Sequence, residues 1–260
     1  MSGFLFRDIV FGPVRSRRFG ISLGINLLPL NKKVCSFNCI YCECGLTHDD
    51  SESDAETFIP VEIIKETIES KFAELKERGI SPDNITFAGN GEPTLHPDFP
   101  EIIDATILLR NRFFPDAQIT VLSNATTLGN TKIKEALLKV DKNVLKLDVG
   151  TENYMNLINN PVWNIRLNKI VENLKEFKGN LIIQSLFLRG TVNGEYFDSS
   201  SDENVNAWLE FIKEISPRLV MIYPIDRSTP LSGLEKLSYD ELNRIAKKVN
   251  ELGIQTEVYY

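Results

Sequence analysis

Three cysteines with short, regular spacing are the residues of this chain best suited to chemistry. Cys35, Cys39 and Cys42 stand in the run KVCSFNCIYCEC with the spacing C-x3-C-x2-C, and Tyr41 immediately precedes the third cysteine. A cluster of four irons normally takes four cysteine thiolates, one for each iron. Three thiolates would leave one iron open to a small molecule, and we expect the chemistry of the protein at that open position.

A zinc site is the alternative interpretation of the same region. All four cysteines of the chain lie within ten residues, whereas the disulfides of a secreted domain usually close long loops. Thiols clustered so tightly are typical of a metal site in a reducing compartment. A tetrahedral zinc ion could be held by four side chains, those of Cys39, Cys42, Cys44 and His48. The chain would then be a non-catalytic, zinc-stabilised binding module.

The composition is that of an ordinary globular protein. The 260 residues are 42% hydrophobic and 25% charged, which suits one α/β barrel domain over residues 1–260. No apolar run approaches the ~18 residues that cross a bilayer, and the N-terminus lacks the pattern of a signal peptide. We therefore expect a cytoplasmic protein that does not bind membranes. The net charge of −7 argues against a large nucleic-acid footprint.

Short β-branched runs alternate with amphipathic helical runs after residue 20. Strands are predicted over 21–28, 84–88, 118–123, 144–149, 181–188, 219–223 and 255–259. Such alternation predicts parallel strands joined by right-handed crossovers. Eight strand–helix units close a TIM barrel. Six units followed by a further C-terminal strand predict an open, partial (β/α)6 TIM barrel. The acidic segment 47–57 is predicted to be a mobile loop.

Polar residues fall repeatedly at the carboxyl ends of the predicted strands, where α/β proteins bind ligands. The cysteine loop, about residues 33–47, follows the first strand, and the run Gly89-Asn90-Gly91-Glu92-Pro93 follows the second. Later strands and strand ends carry Asn124, Asp148, Gln184, Tyr223 and Ile225. This convergence predicts one ligand site at that end of the barrel.

These motifs together resemble the radical S-adenosylmethionine (radical SAM) superfamily. The cysteine run with Tyr41 is similar to its signature, and the run from Gly89 to Pro93 is similar to its glycine–glycine–glutamate motif. The stretches FGPVRSRRFGISLGINLLP, AGNGEPTLHPDF and MIYPIDRSTP resemble a group of short iron–sulfur oxidoreductases related to the wyosine-forming tRNA enzymes.

The resemblance implies two cofactors and a reaction class. One [4Fe–4S] cluster would sit on Cys35, Cys39 and Cys42, and S-adenosylmethionine would chelate the open iron. An electron from the reduced cluster would break the sulfonium C–S bond. The resulting 5′-deoxyadenosyl radical would abstract hydrogen from an unidentified substrate, and the protein would supply binding and orientation.

Roles around the cluster follow from the same resemblance. Glu92 would accept hydrogen bonds from the methionine ammonium of the cofactor, and the neighbouring glycines would let the Gly89-Asn90-Gly91 backbone approach closely. Asn124 would face the ribose or the carboxylate. Asp148 would bind a ribose hydroxyl, unless it pairs with Lys146 on one face of its strand.

The sequence leaves two interpretations open for each of several further residues. Gln184 is either a satisfied core amide or a cofactor contact. Tyr41 and the segment from Tyr223 to Ile225 could flank the adenine, although core packing is the commoner fate of such residues. Cys44 is either a loop residue or a substrate-proximal thiol that donates a hydrogen atom. A second cluster would need several further cysteines, and Cys44 is the only one left.

Five cations near the cysteine loop suggest partners on an otherwise acidic chain; they are Arg15, Arg17, Arg18, Lys32 and Lys33. They form either a solvated face or a contact for an anionic substrate group or an acidic electron donor, such as a flavodoxin or ferredoxin. The wyosine-like resemblance indicates a tRNA substrate. The acidic composition favours a peptide or protein instead.

Overall fold

The computed structural model describes residues 3–47, 58–227 and 229–260, so the predicted acidic loop lies almost entirely outside the described residues. Its main sheet has eight strands in those residues. In spatial order they are β1 (Val10–Ser16), β2 (Gly20–Ile25), β3 (Asn84–Phe87), β4 (Gln118–Ser123), β5 (Lys142–Lys146), β6 (Ile182–Leu186), β9 (Leu219–Tyr223) and β11 (Thr256–Val258).

The sheet is an open barrel, as the sequence predicts. β1 and β2 form an antiparallel hairpin, and every other neighbouring pair is parallel. β1 and β11 are the two edges and do not pair with each other. Six parallel strands, β2 to β6 and β9, are thus followed by the C-terminal β11. The predicted strand over 144–149 is misplaced, because β5 ends at Lys146.

Helices cover the outer face of the sheet. They are α1 (Val61–Glu77), α2 (Phe99–Phe113), α3 (Thr131–Lys139), α4 (Glu152–Tyr154), α5 (Leu167–Lys175), α6 (Asp202–Ile215) and α7 (Tyr239–Glu251). α4 continues as a π-helical turn over Met155–Asn159. A capping box of Ser238 and Glu241 begins α7. No helix of the described residues combines the length and apolar character needed to cross a membrane.

A second, antiparallel sheet of three strands is absent from the sequence prediction. It consists of β7 (Leu188–Val192), β8 (Glu195–Asp198) and β10 (Leu234–Lys236), with β7 in the centre. The predicted strand over 181–188 is therefore wrong in its last part, because the chain leaves the main sheet at Phe187. Phe187 is fully buried against Trp208 of α6, with ring centroids 5.3 Å apart. This packing fixes the bend.

The turn between β1 and β2 contributes one buried side chain, that of Phe19, to the barrel. Phe19 in this turn packs against Val144 of β5, Ile182 of β6 and Met221 of β9. Because β1 is an edge strand, this packing brings one edge of the sheet to strands on the far side of the barrel.

Candidate active site

The cysteine loop is held between two other segments by backbone hydrogen bonds. Val34 pairs with Gly91, and Glu92 N donates to Val34 O at 3.0 Å. On the other side, Ile40 N donates at 2.9 Å to Ile158 O in the π-helical turn. Gly91 has φ +135°, and a Cβ there would lie 1.8 Å from Val34 O. Only glycine allows this approach, so the Gly89–Pro93 run positions the cysteines.

The three predicted ligands open onto one cavity of about 190 Å³ at the carboxyl ends of the parallel strands. Cys35, Cys39 and Cys42 all line it and are free thiols. Within the described residues, no three His, Cys, Asp or Glu side chains are grouped closely enough to hold one metal ion. A cluster does not need such a group, because each thiolate binds a different iron. His48, the fourth ligand of the zinc alternative, lies outside the described residues.

Amide groups support two of the sulfurs. Asn124 Nδ2 lies 3.6 Å from Cys35 Sγ and also donates to Ser36 Oγ at 2.8 Å. Asn159 Nδ2 lies 3.5 Å from Cys39 Sγ and donates to Asp148 Oδ2 at 2.8 Å. N–H donors to sulfur stabilise thiolate charge and are among the interactions that tune iron–sulfur clusters. The donor set therefore fits a cluster. Asn159 was not predicted from the sequence.

The thiols have unequal surroundings. Burial raises the pKa of Cys35 to about 12. The adjacent Cys44, with Lys33 nearby, lowers the pKa of Cys42 to about 5. Thiolates, not thiols, bind iron, so loading a buried site releases protons. Lys33 is only 6% exposed and donates to Gly45 O at 2.8 Å, so the prediction that it belongs to a solvated basic face is wrong.

Glu92 is a buried carboxylate on the wall of the cavity. It accepts from Asn124 N at 2.5 Å and from Thr94 N at 3.1 Å. Burial raises the pKa of Glu92. Its contact with an ammonium group stays a prediction. Gly89 and Gly91 line the same cavity.

Asn90 is the member of the glycine-rich run that the structure does not bring to the cavity. Its side chain accepts from Phe6 N at 2.8 Å and donates to Phe6 O and Pro29 O, each at 2.9 Å. It is completely buried. Its amide therefore fastens the N-terminal segment to the site instead of facing a ligand.

A buried polar network lies beneath the cavity. The Tyr41 hydroxyl donates to Asp148 and accepts from Lys146 Nζ at 2.7 Å. Lys146 and Asp148 form an ion pair at 3.3 Å, so the pairing interpretation matches the structure. Asp148 lies beyond the end of β5 and does not share a strand face with Lys146. Its carboxylate is absent from the cavity wall, whereas Tyr41 and Lys146 line it.

A second cavity of about 390 Å³ adjoins the first and shares Tyr41, Cys42 and Cys44 with it. Tyr223 and Ile225 line this outer cavity. Cys44 Sγ donates to Gly89 O at 3.4 Å.

Gln184 lies on the wall of the cysteine cavity, where Oε1 accepts from Arg18 Nη1 at 3.2 Å and from the Tyr223 hydroxyl at 3.4 Å. Arg17 pairs with Asp226 at 2.9 Å. The predicted cations therefore occupy different environments and do not form one face.

Comparisons with known proteins agree with this geometry. A family model described as the Radical SAM superfamily matches residues 33–199. A UPF0026 protein of Helicobacter pylori (strain J99) is 34% identical over 239 residues, which are 90% of this chain and 71% of that protein. The chain therefore belongs to the radical SAM superfamily and to the UPF0026 proteins. Membership implies a [4Fe–4S] cluster and S-adenosylmethionine as cofactors.

Solved structures share the fold. A radical SAM methyltransferase from Sphaerobacter thermophilus gives a TM-score of 0.66 at 14% identity, covering 92% of this chain and 66% of that one. Archaeal TYW1 gives a TM-score of 0.51 at 13% identity, covering 88% of this chain and 71% of that one. These likenesses show that the chain shares its fold with both proteins, whereas the predicted resemblance to the superfamily is confirmed by the family model.

Proposed function

We propose that the protein binds one [4Fe–4S] cluster through Cys35, Cys39 and Cys42 and cleaves S-adenosylmethionine reductively at the open iron. Together these cofactors supply hydrogen-atom abstraction from a substrate. The observation that carries the proposal is the arrangement of three free thiols around one cavity, two of them supported by side-chain amides. This donor set suits a cluster whose irons are bound separately.

The surrounding residues bind and orient the cofactors in this proposal. Glu92 accepts from the ammonium group of S-adenosylmethionine, since its carboxylate is on the cavity wall. Asn124 and Asn159 hold two sulfurs in place and stabilise their charge. Tyr41, fixed by the network beneath it, lies between the two cavities, and Tyr223 and Ile225 extend the site outward. Burial of these groups excludes water from the reacting atoms.

The proposed reaction needs an electron donor and a substrate as partners. An electron donor such as a flavodoxin or ferredoxin reduces the cluster, and four free thiols suit the reducing cytoplasm. The substrate is a peptide, a protein or a tRNA. The walls of the outer cavity carry three arginines and two acids, which leaves one net positive charge. RNA binding requires several unpaired cations, so this charge favours a peptide or protein.

Anaerobic reconstitution with iron and sulfide tests the proposal. After reduction with dithionite, the protein should convert S-adenosylmethionine to 5′-deoxyadenosine without substrate, measured by chromatography and mass spectrometry. Cys39→Ala should abolish the product and lower the iron content. Cys44→Ala is the matched control and should still bind about four irons per chain, because the cluster needs the other three thiolates.

Two results would contradict the proposal. One is product formation by Cys39→Ala at the wild-type rate. The other is a purified protein that binds one zinc ion per chain and no iron after reconstitution, which would favour the zinc-stabilised binding module.

A further inference from the structure

Arg18 is half-buried on the wall of the outer cavity and has no acidic partner within the described residues. Its guanidinium carbon is 5.2 Å from the centre of the Tyr223 ring and 5.3 Å from that of Phe19. The other two arginines of the outer cavity are neutralised, because Arg17 pairs with Asp226 at 2.9 Å and Arg227 with an acid of the cysteine loop at 2.6 Å. Within the described residues, Arg18 forms no ion pair. It therefore carries the unbalanced positive charge of the outer cavity.

Gln184 supplies a second donor at the same place. It is only 5% exposed and lines the cysteine cavity. Its Oε1 accepts from Arg18 Nη1 at 3.2 Å, which leaves the amide N–H groups to point elsewhere. No described residue accepts a hydrogen bond from that amide nitrogen. Since Gln184 lines the cysteine cavity, this amide nitrogen is available to a ligand there.

We propose that Arg18 and Gln184 bind a carboxylate group of the substrate where the two cavities meet. This inference rests on the proposed function, because it assigns the substrate of the same site. A guanidinium offers parallel N–H groups that match a planar carboxylate. One net positive charge suits one carboxylate, whereas a terminal phosphate carries a charge of about −1.5 to −2.

The rest of the substrate is apolar or aromatic. The outer cavity is lined by Leu186, Tyr223 and Ile225 next to Arg18, and its volume of about 390 Å³ lies within the range of small-molecule sites. A free arylalkyl acid fits this combination, and so does the C-terminal end of a peptide with an apolar last residue. The shared chemistry is a carboxylate with an apolar group a few bonds away.

Ligand-observed NMR titration of the reconstituted protein tests the assignment with three probes: 3-phenylpropionate, its neutral amide and dimethyl phosphate. The acid should bind at least ~10-fold more tightly than either of the others, because the amide lacks the charge that Arg18 would hold and dimethyl phosphate lacks both the planar carboxylate and the apolar group. Arg18→Gln should weaken acid binding by at least ~10-fold. Arg18→Lys keeps the charge and should retain part of the affinity.

Arg112→Gln is the matched control, because it removes an arginine that pairs with Glu69 at 2.7 Å and lines neither cavity. It should leave acid binding within about twofold. N-acetylphenylalanine distinguishes the two sources of the carboxylate. Binding tighter than that of 3-phenylpropionate assigns a peptide C-terminus, and weaker binding assigns a free acid.

Undetectable binding of the acid, equal binding of acid and amide, or unchanged binding in Arg18→Gln would overturn the inference. Tighter binding of dimethyl phosphate would overturn it in favour of a nucleic-acid backbone. The titration measures binding without turnover. Its failure is therefore separate from a failure to form 5′-deoxyadenosine.

Discussion

Asp148→Asn should destabilise the folded protein by about 3–5 kcal/mol, the usual cost of leaving a buried charge without its partner. The side chain of Asp148 has no exposed surface and accepts from Asn159 Nδ2 at 2.8 Å and Leu186 N at 2.9 Å. Lys146 Nζ lies 3.3 Å from the same carboxylate. Burial lowers the pKa of Lys146, but Asp148 together with Tyr223 and Cys39 outweighs burial and raises it. The asparagine variant leaves this ammonium unbalanced.

Guanidinium unfolding of the reduced protein, followed by circular dichroism without oxygen, gives the free energy of unfolding. Asp104→Asn is the matched control, because Asp104 and Lys139 form an exposed pair at 2.7 Å and exposed pairs contribute at most about 1 kcal/mol. The two variants should differ by at least about 2 kcal/mol. Equal losses would refute the conclusion that the buried pair stabilises the site.

Three other predictions concern the cofactor, the pH and the cysteine loop. Glu92→Gln should weaken S-adenosylmethionine binding by roughly 10- to 100-fold, the value of one charge-assisted hydrogen bond, measured by equilibrium dialysis; unchanged affinity would remove Glu92 from the site. Hydrogen bonds from Ser238, with a further one from Arg189, lower the pKa of Glu241 from its ordinary 4.5 to about 2. Because the folded pKa is depressed, this stabilisation is present above about pH 4.5 and is lost as the pH falls toward 2. Glu241→Gln should therefore lower the free energy of unfolding by about 1 kcal/mol at pH 6, and the difference from wild type should shrink in acid; a constant difference would count against the pair. Gly91→Ala should reduce bound iron after reconstitution, because its Cβ would meet Val34 O at 1.8 Å. Gly79→Ala, also at positive φ but with nothing within 4 Å, should bind iron normally, and equal iron in both variants would contradict the positioning role.

The motifs predicted the chemistry of the site because spacing along the chain fixes it. C-x3-C-x2-C places three thiols in one short loop, and parallel strands carry their carboxyl ends to one edge. Local pattern therefore sufficed to bring Cys35, Glu92 and Asn124 to one cavity, whereas their roles stay predictions. Asn159 was missed because it stands alone in a π-helical turn, where no periodicity marks it.

The second sheet and β1 could not be read from periodicity alone. β1 contains Gly12 and Pro13, which argue against a strand, and its pairing with β2 is irregular between Phe11 and Val14. The pair Asn193-Gly194 is a hairpin signal between β7 and β8 that the sequence does contain. Whether a cation such as Lys33 is buried or paired depends on contacts between distant segments. No local sequence pattern indicates it.

Electron paramagnetic resonance of the reconstituted, dithionite-reduced protein tests the central claim most directly. The claim predicts the signal of one reduced [4Fe–4S] cluster per chain, and a changed signal when S-adenosylmethionine is added, because the cofactor binds the iron that the three cysteines leave open. A reduced protein without a signal, or a signal that S-adenosylmethionine leaves unaltered, would contradict it.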